Sequence, residues 1–427
     1  MAPAAGKLAS AYRSLWSRVR VQLGSGLLIA VIAPWFARVH IQIEELDLFG
    51  LQASLAGTFI ALVLGYYGFR RLSQYPGVKS LYYIFPFFTV SYGIILLIFF
   101  FGRLDYSRLH FISSFALCNI WYYFIYFKVQ RGQRLRIGIV PFGKVSSLFK
   151  IADVDWVRLT DGIDSRGRLD VIVADLRADI PDDWERFLTD RAIGGTMVMH
   201  VKQMEESLTG RVAIEHLSEN TLGSLIPGIV YAKIKRAGDL MVALIAAPLL
   251  APFLLAIVFL IRLDSKGPVI FKQQRMGFRG RPFLMYKFRT MRHESSSPAN
   301  AREAAITRDG DDRVTRLGRI LRQYRIDELP QIINILRGEM SWIGPRPEAI
   351  ELSEWYEREL PFYRYRHIVR PGITGWAQVK QGHVAYVDDV LWKLHYDFYY
   401  IKNFSFWLDV LIIGGTLRTV LSGFGAR

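Results

Sequence analysis

A single cysteine, Cys118, occurs in the 427 residues, so no intrachain disulfide can staple the fold. Acids are short too: 38 Asp and Glu stand against 54 Lys and Arg, a formal charge of +16. Such an excess suits nucleic acid, anionic lipid or phosphorylated substrates. No nucleic-acid-binding motif accompanies it, so a nucleic-acid partner is not expected and membrane lipid and phosphate remain. No small-residue cleavage site follows the first apolar run, and a removable signal peptide is not expected. The early apolar runs contain almost no ionisable residues, whereas transporters tend to carry charge along their pathway. This lack of charge weighs against a channel, flippase or other transporter, the competing non-enzyme class, and these runs are expected to anchor the chain or join two copies of it.

What is abundant is apolar surface. Half of the residues are hydrophobic (51%) and 14% are aromatic, too apolar for a freely soluble chain and long enough for more than one domain. Runs near 21–37, 51–69, 81–101 and 109–127 each approach the roughly 20 residues that cross a bilayer. Lys7, Arg13, Arg18 and Arg20 precede the first, Arg70, Arg71 and Lys79 separate the second and third, and Lys128, Arg131, Arg134 and Arg136 follow the fourth. The positive-inside bias puts both ends of this four-helix bundle in the cytoplasm. From 134 to 226 the pattern turns to short β-rich runs at 135–140, 154–159, 169–176, 196–201 and 211–217, with a helix at 182–192, which predicts a small α/β domain with a parallel sheet. Its opening Gly-Ile-Val-Pro-Phe-Gly (138–143) lacks the dinucleotide-loop glycine spacing, and cofactor binding is the minority view.

The run at 240–261 could span, yet Pro248 and Pro252 stand at its centre, where each removes a backbone donor and bends or breaks a helix. Crossing would also translocate Arg262, Lys266, Lys272, Arg275, Arg279, Arg281, Lys287, Arg289 and Arg292, against the same bias. A re-entrant helix–break–helix over about 236–262 removes the conflict; a fifth full span is the alternative. Two later segments have interfacial composition: 351–369 mixes aromatics with Arg358, Arg364 and Arg366, and 404–425 is apolar but holds Asp409 and Arg418.

Chemistry concentrates in 325–348. Leu329, Ile332, Ile333, Ile335 and Leu336 recur at helical spacing, placing Asp327 and Glu328 at the start of a helix that stops near Gly338. A bare Asp-Glu pair there is more often a cap with acidic company. The following Gly344-Pro345-Arg346-Pro347 shifts the balance, because two prolines fix a guanidinium that can grip phosphate. The strand expected over 283–291 presents Lys287 and Arg289 on one face. Thr315 is an N-cap candidate for 317–324, and Arg313 and Arg322 fall near the acid pair. Asp309-Gly310-Asp311 matches the metal-holding Asp-x-Asp of many glycosyltransferases, and His383 and Asp388 the His-x4-Asp of membrane acyltransferases; both patterns are common by chance.

Asp-Glu-Leu-Pro-Gln (327–331), Met-Ser-Trp-Ile-Gly-Pro-Arg-Pro (340–347), Val-Arg-Pro-Gly-Ile-Thr-Gly-Trp-Ala-Gln-Val (369–379) and Tyr-Asp-Phe-Tyr-Tyr-Ile-Lys-Asn-Phe-Ser (396–405) together resemble the bacterial monotopic phosphoglycosyl transferases. The resemblance covers about 228–427, and four motifs in one order are specific where one would be weak. It implies three parts: a transmembrane bundle (1–133), a Rossmann-like α/β domain (134–227), and an α-rich monotopic catalytic domain with a re-entrant helix (228–427). It implies transfer of a hexose 1-phosphate, glucose or galactose in longer relatives, from a UDP-sugar to undecaprenyl phosphate, releasing UMP and starting exopolysaccharide, capsule or O-antigen assembly. Asp327 would be the nucleophile and would carry the phosphosugar covalently, while Glu328 would bind Mg²⁺. Lys287, Arg289, Arg313, Arg322 and Arg346 would bind phosphate, with His367 and Asp397 in the surrounding shell. The expected setting is the bacterial inner membrane, with the catalytic domain on its cytoplasmic face and a second copy as partner. The alternative enzyme is a metal-dependent glycosyltransferase that uses Asp309 and Asp311 and releases UDP.

Overall fold

All four early apolar runs form helices. A computed structural model describes residues 16, 18–41, 48–72, 75, 81–130, 135–152, 154–160, 169–214, 226–292, 313–381 and 387–422. The chain divides into two compact units, residues 1–210 and 211–427.

In the first unit, Val19–Leu27 (α1) passes through a π-helical turn, Leu28–Ile32, into Ala33–Ile41 (α2). Leu48–Leu72 (α3), Leu81–Phe101 (α4) and Arg108–Gln130 (α5) follow. Leu62, Ile84, Phe88, Tyr92, Cys118 and Tyr122 share their core. A Cβ on Gly57 or Gly65 would strike the ring of Phe99 or Phe88, so these glycines let α3 and α4 approach closely. At one end Gln22, Tyr66 and Arg70 are hydrogen-bonded in series; at the other, Arg38 donates to Ser107 and Ser107 N–H to Ser54. Among the described residues, the helices long and apolar enough to cross a membrane are Val19–His40, Phe49–Leu72, Leu81–Phe101 and the later Ile229–Asp264. The fourth run is not among them, because His110, Ser113, Ser114 and Asn119 interrupt its apolar character. Two of these bond to neighbouring helices: His110 meets Thr58 at 3.1 Å and Ser114 meets Tyr92 at 2.8 Å.

The middle region forms Leu135–Ile139 (β1), Val154–Arg158 (β2), Val171–Ala174 (β3), Asp182–Ile193 (α6), Met197–His200 (β4) and Val201–Thr209 (α7). The strands make one parallel sheet in the order β2-β1-β3-β4. Parallel pairing explains the wholly apolar Val-Ile-Val-Ala of β3, which is buried on both faces. The strand expected at 211–217 is corrected: residues 211–214 are not a strand. Instead Val212 N–H bonds to the His395 carbonyl and Arg211 lies over Trp392. Residues 215–217 lie outside the described residues.

The second unit opens with Ile229–Asp264 (α8). It continues with an antiparallel hairpin of Ile270–Met276 (β5) and Pro282–Phe288 (β6), then Arg316–Gln323 (α9), a 3₁₀ turn at Ile326–Gln331 and Ile332–Arg337 (α10). Ser341–Ile343 (β7) pairs in parallel with Gly372–Thr374 (β8); between them lie Ile350–Glu359 (α11) and a 3₁₀ turn, Tyr363–Ile368. Trp376–Gln381 (α12), Val387–Lys402 (α13) and Phe406–Ser422 (α14) complete it. Thr315 caps α9 as expected, accepting from Gly318 N–H at 2.9 Å.

The expected break in α8 is corrected, since the helix continues unbroken with Pro248 and Pro252 inside it. Spaced four residues apart, the two prolines lose their bonds on one side of the helix, which permits curvature without ending it. Both halves of α8 pack on the same domain. Ala243 joins Phe283, Met285, Ile335 and Met340, while Ile257 and Ile261 join Phe288 and Leu321, each large side chain contributing roughly 1.5–3 kcal/mol. Polar bonds secure the same two places. Lys235 pairs with Asp409 at 2.8 Å and Ser341 donates to Asp239 at 2.7 Å, while Arg289 donates to the Ser265 carbonyl at 2.6 Å. Between them Leu244, Ile245, Leu249 and Leu255 are exposed.

Both segments of interfacial composition hold residues that point inward. Tyr356, Tyr363, Arg366 and His367 of 351–369 are buried; Arg366 and Tyr363 belong to a charge network described below, and Tyr356 packs on the Tyr363 ring. In α14, Asp409 is buried but satisfied by Lys235, Tyr231 and Tyr400.

Candidate active site

Asp327 and Glu328 lie in the 3₁₀ turn rather than the first turn of an α-helix. Arg325, with φ of 55°, starts the turn in the left-handed region, and Gly338, with φ of 84°, ends α10 where the sequence predicts. The tighter turn buries both carboxyls: Asp327 is 8% exposed and Glu328 5%.

The two acids are treated differently. Arg346 Nη2 donates to Glu328 Oε1 at 2.7 Å, and Lys287 Nζ lies 3.2 Å from the same oxygen. Burial alone would raise Glu328, but Arg346 and Lys287 overcome it and hold the carboxyl well below the usual range. Asp327 has no ion pair or hydrogen bond through its side chain among the described residues. Burial, then repulsion from Glu328, pushes it up to about 6. Ionising Asp327 therefore costs stability as pH rises from its ordinary value toward 6. A buried carboxylate kept without a partner is a functional candidate for that reason.

The other expected site residues separate into groups. Lys287 and Arg346 are at the acid pair. Arg322, whose Nε donates to Thr290 Oγ1 at 2.8 Å, is close enough to stabilise the Asp327 charge. Arg289 turns instead to the end of α8 at Ser265, and its buried Nε and Nη1 have no partner among the described residues. The Arg313 backbone carbonyl accepts from Arg292 N–H, and the residue is exposed. His367 is buried beside Ser353, and burial, with Arg366 and Arg364, lowers it to about 3, so it is neutral at physiological pH. Asp397 bonds to Arg366 at 2.8 Å. Asp309, Asp311 and His383 lie outside the described residues, as does the side chain of Asp388.

A second charge cluster escapes sequence reasoning. Glu348 pairs with Lys393 and lies 4.0 Å from both Arg366 and Arg275. These cations outweigh burial and hold Glu348 well below the usual carboxylate range. Glu348 directly follows the Gly-Pro-Arg-Pro run, which is the signal that could have found it. Arg366 sits among aromatics and reads as interfacial.

Among the described residues no group of three His, Cys, Asp or Glu could hold a metal ion. Glu328 Oε2 is nevertheless buried and without a partner, and Mg²⁺ is commonly held through one or two carboxylates and substrate phosphates rather than an all-protein cage. The acid pair fits that ion.

The sequence matches the family model described as bacterial sugar transferase over residues 230–423. It is similar to a UDP-N-acetylgalactosamine-undecaprenyl-phosphate N-acetylgalactosaminephosphotransferase of Aeromonas hydrophila, 47% identical over 376 residues, 88% of either chain. It is also similar to two proteins named UDP-glucose:undecaprenyl-phosphate glucose-1-phosphate transferase. The Caulobacter vibrioides protein is 42% identical over 202 residues, 47% of this chain and 73% of that one. The Escherichia coli protein is 39% identical over 193 residues, 45% of this chain and 40% of that one.

Proposed function

Because the chain belongs to the bacterial sugar transferase family, we propose that Asp327 and Glu328 carry a sugar 1-phosphate from a UDP-sugar to undecaprenyl phosphate, with UMP as the leaving group. The observation that carries this is the contrast between a clamped Glu328 and an Asp327 whose side chain has no ion pair or hydrogen bond among the described residues. A carboxylate free of ion pairs is the nucleophile of the two. Asp327 attacks the sugar-side phosphorus, forming an O–P bond as the bond to UMP breaks. An oxygen of undecaprenyl phosphate then attacks the same phosphorus, and the Asp327 carboxylate leaves. Lys287, Arg322 and Arg346 supply positive charge around both displacements. Glu328 would hold Mg²⁺, which when bound would neutralise phosphate oxygens.

Lipid access follows from α8, which we read as a re-entrant segment that enters and leaves on the cytoplasmic face of the inner membrane. Support comes from its two ends, bonded to one domain at Lys235–Asp239 and at Ser265 while the apolar middle is bare. Single cysteines placed at Lys235 and Lys266 in a Cys118→Ala background should both resist a membrane-impermeant thiol reagent in intact cells. Labelling at 266 alone would mean a full span. We read the parallel sheet as a Rossmann-like module with a regulatory or dimer-forming role, and expect a homodimer.

For the donor, the relative that matches over 88% of this chain is named for N-acetylgalactosamine, and the glucose enzymes match over less than half. That difference favours UDP-N-acetylgalactosamine over UDP-glucose or UDP-galactose. Purified protein given undecaprenyl phosphate and each of these donors should release UMP with one of them. Release of UDP would instead indicate transfer of the sugar without its phosphate.

A further inference from the structure

The loop that aims Arg346 is fastened at every carbonyl from 345 to 348. Gly372 N–H donates to Pro345 O at 3.0 Å and Arg366 Nη2 to Arg346 O at 2.9 Å. Arg275 Nη1 donates to Pro347 O at 2.8 Å, and Met276 N–H to Glu348 O at 3.0 Å. Two of the four donors are thus side chains, both arginine, from separate parts of the second unit. Prolines at 345 and 347 offer no N–H of their own, so carbonyl contacts must hold this backbone.

We propose that Arg366 and Arg275 are positioning residues for the transfer reaction, keeping the 345–348 backbone where Arg346 engages Glu328. The proposal rests on the activity proposed above. Arg366 is 2% exposed, and one nitrogen, Nη2, reaches both the Arg346 carbonyl and Asp397 Oδ2, while Nη1 donates to Tyr363 O–H at 2.6 Å. Asp397 and Tyr363 thereby fix the guanidinium, and the guanidinium fixes the loop. Arg275 is braced in the same way by Gln273, with Nη2 at 2.6 Å and Nε at 3.0 Å. Glu348 lies between Arg275 and Arg366 and compensates their charge together with Asp397. A lysine at either position keeps the charge but loses the planar fork that serves several acceptors at once.

The experiment uses the full chain in membranes, with the UDP-sugar that the wild type turns over and undecaprenyl phosphate. Arg366→Lys and Arg275→Lys should each lower kcat about 10- to 100-fold, the range for loss of a group that orients a catalytic ligand. KM for the UDP-sugar should stay within about threefold. In an Arg346→Ala background, each should lower the residual rate by less than about twofold, because the guanidinium they aim is gone. The same fold-loss in both backgrounds would overturn the proposal, as would a raised KM with unchanged kcat. Should Arg366→Lys fail to accumulate, Arg275→Lys decides alone. A wild type without transfer activity would sink the proposed function itself, whereas an active wild type with unaffected variants would sink only this inference.

Discussion

Asp327→Asn should abolish sugar-phosphate transfer and at the same time stabilise the protein. The amide matches the carboxylate in shape but cannot attack phosphorus, so turnover should fall on the order of 10⁴-fold or more. The stability change has the opposite sign, because ionised Asp327 is disfavoured where it sits. Burial and Glu328 raise it to about 6, so at neutral pH removal of its charge relieves up to roughly 3 kcal/mol. Incubated with radiolabelled UDP-sugar and no lipid acceptor, the wild type should hold label that hydroxylamine releases, and Asp327→Asn should hold none. Wild-type transfer should also decline as pH drops through about 6, where Asp327 takes up its proton. A variant that melts earlier than the wild type, or that still acquires releasable label, would remove Asp327 from the nucleophile's role.

Glu328→Gln should act oppositely on stability while also impairing activity. The substitution leaves Arg346 and Lys287 buried against a neutral amide, and breaking a buried pair from one side costs about 3–5 kcal/mol. Glu328 is an acid whose folded-state value is depressed. Its contribution is therefore fully present above the ordinary glutamate range and is lost only as pH falls well below it. At pH 7.5 the whole penalty should be visible as a lower midpoint in denaturant. Turnover should drop on the order of 10²- to 10³-fold, as for removal of one well-placed charge-stabilising group, and added Mg²⁺ should not restore it. If Glu328→Gln proved the more stable protein and Asp327→Asn the less stable, the two acids would have to exchange roles.

The division of labour between these acids was only half legible in the sequence. Periodicity through Leu329–Leu336 and the stop at Gly338 located the turn, but not its 3₁₀ geometry, because α and 3₁₀ turns share the same apolar spacing over so few residues. Nothing in Asp327-Glu328 says which acid will be clamped; that depends on Lys287 and Arg346, which meet only in three dimensions. Composition misled most where a residue is amphipathic. Tyr363 and Arg366 have the makeup of a membrane surface but bond to each other inside the domain. Asp409 raised the same difficulty in an apolar run, resolved by a lysine far away in sequence. The parallel sheet was readable from its β-branched runs, except at 211–214, where a short alternating stretch serves as a connector.

The clasp between the start of α8 and α14 has a consequence for how the second unit is made. Tyr231 and its partner Asp409 are separated by 178 residues. At about 5–20 residues per second, roughly 9–36 s elapse between their synthesis. Through that interval Lys235 has no Asp409 to meet, and Asp239 waits 102 residues for Ser341. One helical turn apart, Lys235 and Asp239 have each other, at 3.8 Å, as provisional partners. The second unit therefore closes only when its last helix arrives to bring Asp409 to within 2.8 Å of Lys235.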